Sequence, residues 1–411
     1  MGRKTRQVVA GLDLGTTKIC AVIGEMQADG TLDVIGVGTH PSRGLKKGVV
    51  VNIDSTVDSI RHAVEEAQLM AGLDVGSVYV GIAGGHIASI NSRGIIAVKN
   101  REITWRDVEQ VIDAARAVAL PMDREVIHVL PQEFLVDDQG GITEPLGMAG
   151  KRLEVRVHLV TAAVASAHNI VKCVHKAGLD VDDIVLAQLA SGEATLAAEE
   201  RELGVAVVDV GGGTTDLAVF AAGGVKHTAV LAVGGNHITN DLAFGLGVPV
   251  QEAERVKQAF GCAHPSLLRA NETVEVRRVG ERAPLLVKRR DLCEIIAPRV
   301  EEILQMVQQE LRHHGCEALP AGVVLTGGTA LLPGIVELTE EVLRVPVRRG
   351  VPVGIGGLVE MVKTPRYATA IGLLRYGLKE RRDGKAYKFT GDHLFARVYY
   401  RMREWFSELL A

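Results

Sequence analysis

The sequence predicts an α/β protein of two similar lobes, with further αβ segments inserted, and three observations predict it. A pattern of apolar run, Asp-x-Gly, Thr-Thr and second apolar run occurs twice, in residues 8–24 (VVAGLDLGTTKICAVIG) and 205–220 (VAVVDVGGGTTDLAVF). Strand-like and helix-like stretches alternate between and after the two copies. The 411 residues, at roughly 100–200 per domain, imply two to four folded units.

Composition excludes several classes. Hydrophobic residues at 47% and charged residues at 23% are those of a globular chain, not a disordered one. The 46 glycines exceed the usual ~7% and point to tight turns or to backbone lying against a ligand. A net charge of −4 argues against nucleic acid as the main partner, because duplex binding needs a basic face. Five scattered cysteines without a CxxC spacing predict neither a disulfide framework nor a zinc site, and fit a reducing cytosol. The basic start reaches Asp13 after too short an apolar run for a signal peptide, and no stretch approaches the 18 apolar residues of a spanning helix. The expected body is soluble.

Each copy of the repeated pattern reads as a hairpin whose turn carries the chemistry. Gly15, Gly211, Gly212 and Gly213 let backbone approach a bulky anion. Consecutive N–H groups and the hydroxyls of Thr16, Thr17, Thr214 and Thr215 supply donors for phosphate oxygens. Asp13 and Asp209, 196 positions apart, would repel phosphate unless a divalent cation, Mg²⁺ with its waters, sits between. Lys18 adds a positive charge to the first turn. Two such cradles predict a nucleotide clamped between two domains, and the lack of a Walker A motif excludes a P-loop.

Other elements follow in order. Strands are expected near 31–39 and 77–83, and a helix from Asp54 to Gly72, capped by Asp54 or Ser55, with Ile60, Val64 and Ala67 buried. From about Gly84 to Val160 a separate αβ segment holds a helix capped by Thr104 with Asp107, burying Val108, Val111, Ile112 and Ala115, and a hairpin signal at Asp137–Gly141. A second αβ insertion spans Gly235 to about Gly315 and ends in a helix from Asp291 to His314 that Pro298 should kink or divide. His313 and His314 read as partners of the helix dipole rather than metal ligands.

These motifs resemble the actin, Hsp70 and sugar-kinase superfamily, whose two phosphate hairpins have this form. Gln188 to Ala194 is similar to its first connecting helix, and Pro365 to Gly372 to its second. Val324 to Ala330, with Gly327, Gly328 and Thr329, is similar to the adenosine motif, and Glu254 and Lys257, on one helix face, would reach a ribose. The resemblance implies Mg-ATP as ligand. For hydrolysis the first connecting segment offers only Gln188 and Glu193, so at most slow ATPase activity is expected.

The segments 127–134 and 144–155 are further similar to the extra subdomain, 1C, of the FtsA family of bacterial cell-division proteins. That resemblance covers nearly the whole chain. It implies subdomain 1A in residues 1–83, 161–195 and 362–378, 1C in 84–160 in place of actin's 1B, 2A in 196–235 and 316–361, and 2B in 236–315. It also implies self-association into protofilaments, binding of the FtsZ C-terminal peptide on 2B, tethering of the FtsZ ring, and recruitment of later division proteins. Lys288, Arg289, Arg290 and Arg299 form a basic start to the long helix that an acidic peptide would meet.

The tail is read independently of any resemblance. With 100° per residue, Leu394, Phe395, Val398, Tyr399, Met402, Trp405, Phe406, Leu409 and Leu410 fall within an arc of roughly 160°, opposite Arg397, Arg401, Arg403 and Glu404. Residues 375–411 carry nine Lys or Arg against five Asp or Glu. An amphipathic, aromatic and basic helix over 392–411 is expected to lie on an anionic membrane surface, at the cytoplasmic face, behind a flexible linker over 379–391. Competing readings are a small-molecule phosphotransferase of the same superfamily, which leaves the tail unexplained, and a pilus-assembly scaffold with the same extra subdomain, which would lack it.

Overall fold

The computed structural model describes residues 7–27, 30–100, 102–269, 271–278 and 283–382. Its first sheet has six strands in the order Asp180–Leu186, Ser77–Ile82, Gln7–Leu14, Lys18–Met26, Leu32–Pro41 and Ile355–Gly357. A second, of five, runs Gly224–Leu231, Thr215–Ala221, Val205–Val210, Val323–Thr326 and Val347–Arg349. In each, the strand ending at the Asp-x-Gly turn is antiparallel to its hairpin partner and parallel to its other neighbour. The repeated sequence pattern is thus a repeated topology.

Both faces of these sheets are covered, which is why their strands read as unbroken apolar runs rather than alternating ones. In the first sheet Leu12, Ile19 and Val80 pack with Ile60, Val64 and Ala67 of helix Ile53–Ala71. On the other face Val9, Val22 and Tyr79 pack with Ala190, Ile371 and Leu374. Each buried Val, Leu or Ile among these contributes about 1.5–3 kcal/mol. The helix differs from expectation only in its cap, which is Asn52: its extended backbone lets Oδ1 accept the Ser55 N–H at 2.9 Å. The expected cap at Thr104 forms, with Asp107 Oδ2 accepting the Thr104 N–H at 2.9 Å.

Residues 88–163 build their own sheet, ordered Ala88–Ala97, Arg152–Ala163, Arg124–Val136, Gln139–Ile142, closed by helix Trp105–Arg116, whose Val111 packs in one core with Phe134, Leu153 and Val155. The expected hairpin turns at Asp137, whose Oδ1 accepts the N–H groups of Lys151 and Arg152 at 3.0 Å each.

This unit meets strand Gly224–Leu231 of the second lobe. Gln132 donates to the carbonyls of Val225 (3.0 Å) and Lys226 (2.9 Å), and His158 sits between Asn91 (2.7 Å) and Thr228 (2.8 Å). His158 is 1% exposed, and burial, with His227 and His314 nearby, pushes its pKa down to about 3. The unfolded chain, near 6.5, therefore binds the proton that the folded chain refuses. Its contribution is complete above pH 6.5 and is lost as pH falls toward 3, by at most about 1.4 kcal/mol per unit. Thermal unfolding followed from pH 7 to 5 should show a shallower pH slope for His158→Gln than for the native chain, whatever the absolute stability of the variant.

The long helix spans Arg289–His313 and is not divided. Pro298 is exposed, and so is Glu294 four residues before it, so the carbonyl that loses its partner faces water. The basic start of this helix is partly neutralised: Arg289 pairs with Glu272 at 2.6 Å and Arg299 with Asp241 at 2.5 Å, while Lys288 and Arg290 stay exposed. His313 meets the Gln309 carbonyl at 3.1 Å, as a residue at a helix C-terminus should. His314 does more, as described below.

The last described helix, Ala368–Arg382, runs past the expected boundary at residue 378. Arg381 holds that extension, donating to the Val8 carbonyl and pairing with Asp182 at 2.9 Å. The expected linker beyond residue 382, and the membrane-facing set from Leu394 to Leu410, lie outside the described residues. Among the described residues no helix is long and apolar enough to cross a membrane.

Candidate nucleotide cleft

The two Asp-x-Gly turns face each other. Between them opens a cleft of about 770 Å³, the open solvent at its mouth included. Asp13, Gly15, Thr16, Thr17, Lys18, Asp209, Gly211, Gly212, Gly213 and Thr214 all line it. The turns approach so closely that a Cβ on Gly212 would collide with Thr17, and one on Gly213 would sit 2.5 Å from the Thr16 hydroxyl. Glycine is needed here for clearance.

Thr215 is the exception. Strand alternation sends Thr214 and Thr215 to opposite faces, and Thr215 Oγ1 donates to the Val233 carbonyl at 2.9 Å, away from the cleft. The same alternation brings Asp216 back beside Thr214, whose hydroxyl donates to Asp216 Oδ2 at 2.9 Å. Asp216 lines the cleft although the sequence reading did not select it. It follows Thr214-Thr215 as Lys18 follows Thr16-Thr17, and that matching place in the repeat was the available signal.

Three carboxylates therefore converge, Asp209 and Asp216 buried and Asp13 half-buried. Burial raises Asp13 to about 6, with Lys18 pulling down and Asp209 pushing up. Burial also raises Asp209, opposed by hydrogen bonds from Ser191 and Thr369, and drives Asp216 well above the usual range, aided by Asp209 and Asp13. Asp216 Oδ1 is buried without a hydrogen-bond partner. Lys18 cannot compensate all three: its Nζ donates to the Arg366 carbonyl at 2.8 Å and lies 4.2 Å above the Tyr367 ring. An all-oxygen set of excess negative charge with an orphaned carboxylate oxygen fits a hard divalent cation.

Asp209 also joins the lobes. Its Oδ2 accepts from Ser191 at 2.6 Å and from Thr369 at 3.1 Å, one on helix Ala187–Thr195 and the other on Ala368–Arg382. Those helices cross at Gly372, where a Cβ would collide with the Ala190 carbonyl and lie 2.9 Å from Ala190 Cα. Neither Ser191 nor Thr369 was selected from sequence, because their role depends on this crossing.

At the other end, strand Val323–Thr326 delivers Gly327 and Gly328 to the cleft wall. Gly327 has φ +86°, and a Cβ there would meet the Asp209 carboxylate and, at 2.6 Å, the Val210 carbonyl. Thr329 Oγ1 donates to the Gly211 carbonyl at 3.0 Å. Glu254 and Lys257, on helix Val250–Phe260, pair at 2.7 Å, and Lys257 donates to the Gly235 carbonyl at 3.0 Å, so Gly235 lies between Lys257 and Thr329. The two hydrolytic candidates have other partners: Gln188 donates to the Ala229 carbonyl at 3.3 Å, and Glu193 pairs with Arg201 at 2.8 Å. Neither lines the cleft.

Two lobes with hairpin turns across a cleft, joined by crossed helices, define an actin-like protein. Solved structures agree in fold: the PilM–PilN type IV pilus biogenesis complex (TM-score 0.66, 17% identity, 90% of this chain and 98% of that one) and Spiroplasma citri MreB5 bound to ADP (0.56, 14%, 93% and 100%). The MamK double helical filament is similar too (0.52, 15%, 90% and 98%). The chain belongs to the FtsA family of cell-division proteins. The profile of the family described as cell division protein FtsA matches residues 206–372, and that of the SHS2 domain inserted in FtsA matches 84–161. Cell division protein FtsA of Pseudomonas aeruginosa is 51% identical over 405 residues, 97% of each chain, and that of Escherichia coli K12 is 42% identical over 389, 93% of each.

Proposed function

We propose that this actin-like cell-division protein binds Mg-ATP between its lobes, polymerises on the cytoplasmic face of the membrane, and tethers the FtsZ ring there through residues 392–411. The observation that carries the nucleotide reading is the convergence of Asp13, Asp209 and Asp216 beneath two glycine turns that touch across the cleft. Asp13 and Asp209, with Asp216, would hold Mg²⁺ through water, and the turn N–H groups and Thr16, Thr17 and Thr214 would hold phosphates. Gly327, Gly328 and Thr329 would flank the adenine, with Glu254 and Lys257 at the ribose. When bound, Mg²⁺ neutralises phosphate charge. MreB5 bound to ADP supports a nucleotide in this fold, and MamK supports filaments.

The carboxylates among the residues lining the cleft are those of the cation set, while the Gln188 amide donates to the Ala229 carbonyl and Glu193 pairs with Arg201, which supports slow hydrolysis. ATP then acts as a conformational and polymerisation switch with slow turnover. FtsZ's C-terminal peptide would dock on the 236–315 region, using Lys288 and Arg290 rather than the paired Arg289 and Arg299, and later division proteins would be recruited by the assembled filament.

The membrane reading rests on the apolar arc from Leu394 to Leu410 and the basic residues around it. Deleting 392–411 should leave a folded, nucleotide-binding protein that no longer sediments with anionic liposomes or carries FtsZ down with them. Sedimentation of the truncated chain with liposomes would contradict the anchor.

A further inference from the structure

A second cluster of metal-binding side chains lies away from the cleft, where strand Gly224–Leu231 meets the end of helix Arg289–His313. His227 Nε2 is 2.8 Å from Glu310 Oε1, and His314 Nε2 is 3.2 Å from the same oxygen. The two imidazoles stack with centroids 3.8 Å apart and planes 19° apart. Among the described residues this is a group whose three potential ligand atoms all lie within 4.8 Å of one another.

We propose that His227, Glu310 and His314 form a binding site for a borderline divalent transition-metal cation, with Zn²⁺ as representative, which pins the end of the long helix to the strand carrying His227. Two imidazoles and one carboxylate are a three-ligand set that leaves a further position for water. Bonds of about 2.0–2.2 Å to one ion place its ligand atoms roughly 3–4 Å apart, near the present separations, but each imidazole binds an ion in the plane of its ring, so the stacked rings must turn about χ2 and unstack to share one. Glu310 and His314 share a face because they are four residues apart at the helix end. His314 is 45% exposed and gives the ion an entry path, whereas His227 is buried.

The state of the rings supports this reading. Burial, together with the neighbouring His314, lowers the His227 pKa against the opposing pull of Glu310, which favours the neutral imidazole that a metal requires. Each Nε2 becomes a ligand once the ring carries its proton on Nδ1. Behind the cluster, His158 packs edge-on against His227 with centroids 5.8 Å apart and fixes that side of the pocket. The donor set is chemically distinct from the all-oxygen cleft, which a hard cation suits better. No sequence spacing announces the site, because His227 lies 83 residues before Glu310.

The full chain, with excess Mg²⁺ and nucleotide to occupy the cleft, should be titrated with Co²⁺ and then Zn²⁺. The expected result is one equivalent of Co²⁺ giving visible ligand-field bands of a low-coordinate nitrogen and oxygen site, displaced by Zn²⁺. His314→Ala and Glu310→Gln should each weaken binding on the order of tenfold or more. His62→Ala, which breaks the separate His40–His62 stack, should not. Zn²⁺ should raise the melting temperature of the native chain and not that of His314→Ala, whose metal-free melt reports whether it is folded. Unchanged affinity in folded His314→Ala, or no stoichiometric Co²⁺ binding by the native chain, would overturn the proposal.

Discussion

Gly372→Val is expected to lose roughly 3 kcal/mol or more of stability and to abolish nucleotide binding with it. An alanine at an ordinary exposed helix glycine gains about 0.5–1 kcal/mol, since glycine is the poorer helix former. Here the sign reverses, because even a Cβ would drive into the Ala190 carbonyl. Overpacking of this kind costs about 1–3 kcal/mol before the branched valine is counted. Separating the two helices would also stretch the hydrogen bonds that Ser191 and Thr369 make to Asp209, so the damage reaches a carboxylate that lines the cleft. Melting followed by circular dichroism should fall by roughly 3–4 °C or more, with Gly372→Ala intermediate. A Gly372→Ala chain as stable as the native one would show that the helices do not cross as described.

Asp216→Asn should separate stability from binding. In the metal-free chain this carboxylate is buried beside Asp209 and Asp13 with one oxygen unpaired, an arrangement that costs free energy. Removing its charge should therefore leave the melting temperature unchanged or raise it. If the same oxygen faces a cation through water, affinity for ATP in the presence of Mg²⁺ should fall on the order of 10–100-fold, the usual effect of losing an outer-sphere ligand. Calorimetric titration with ATP, with and without Mg²⁺, reads this directly. A destabilised variant with native affinity would assign Asp216 a purely structural role.

Much of this cleft was legible in the sequence because its chemistry is local and repeated. Asp-x-Gly followed by Thr-Thr specifies a strand end, a turn and a row of donors within a few residues, and the second copy says that the first is not an accident of turn composition. Errors arose where function depends on which way a side chain leaves the backbone. The sequence groups Thr215 with Thr214 and leaves Asp216 out, yet successive strand residues face opposite sides, which turns Thr215 away and Asp216 in. Gln188 and Glu193 sit in the expected connecting helix, but tertiary partners from strand Gly224–Leu231 and from Arg201 claim their side chains. Pro298 is expected from sequence to kink or divide its helix; the helix is not divided and places Pro298 on the solvent side, where a lost hydrogen bond is made good by water. His314 looked like an ordinary helix terminus, since only folding brings His227 to it.

A crystal structure of the chain with Mg²⁺ and a non-hydrolysable ATP analogue is the most direct test of the nucleotide reading. The expected density places the phosphates between residues 15–18 and 211–214, with the cation's water shell contacting Asp13, Asp209 and Asp216 and the adenine beside Gly327 and Gly328. Nucleotide bound elsewhere, or phosphates in the cleft with those three carboxylates turned from the metal, would contradict it.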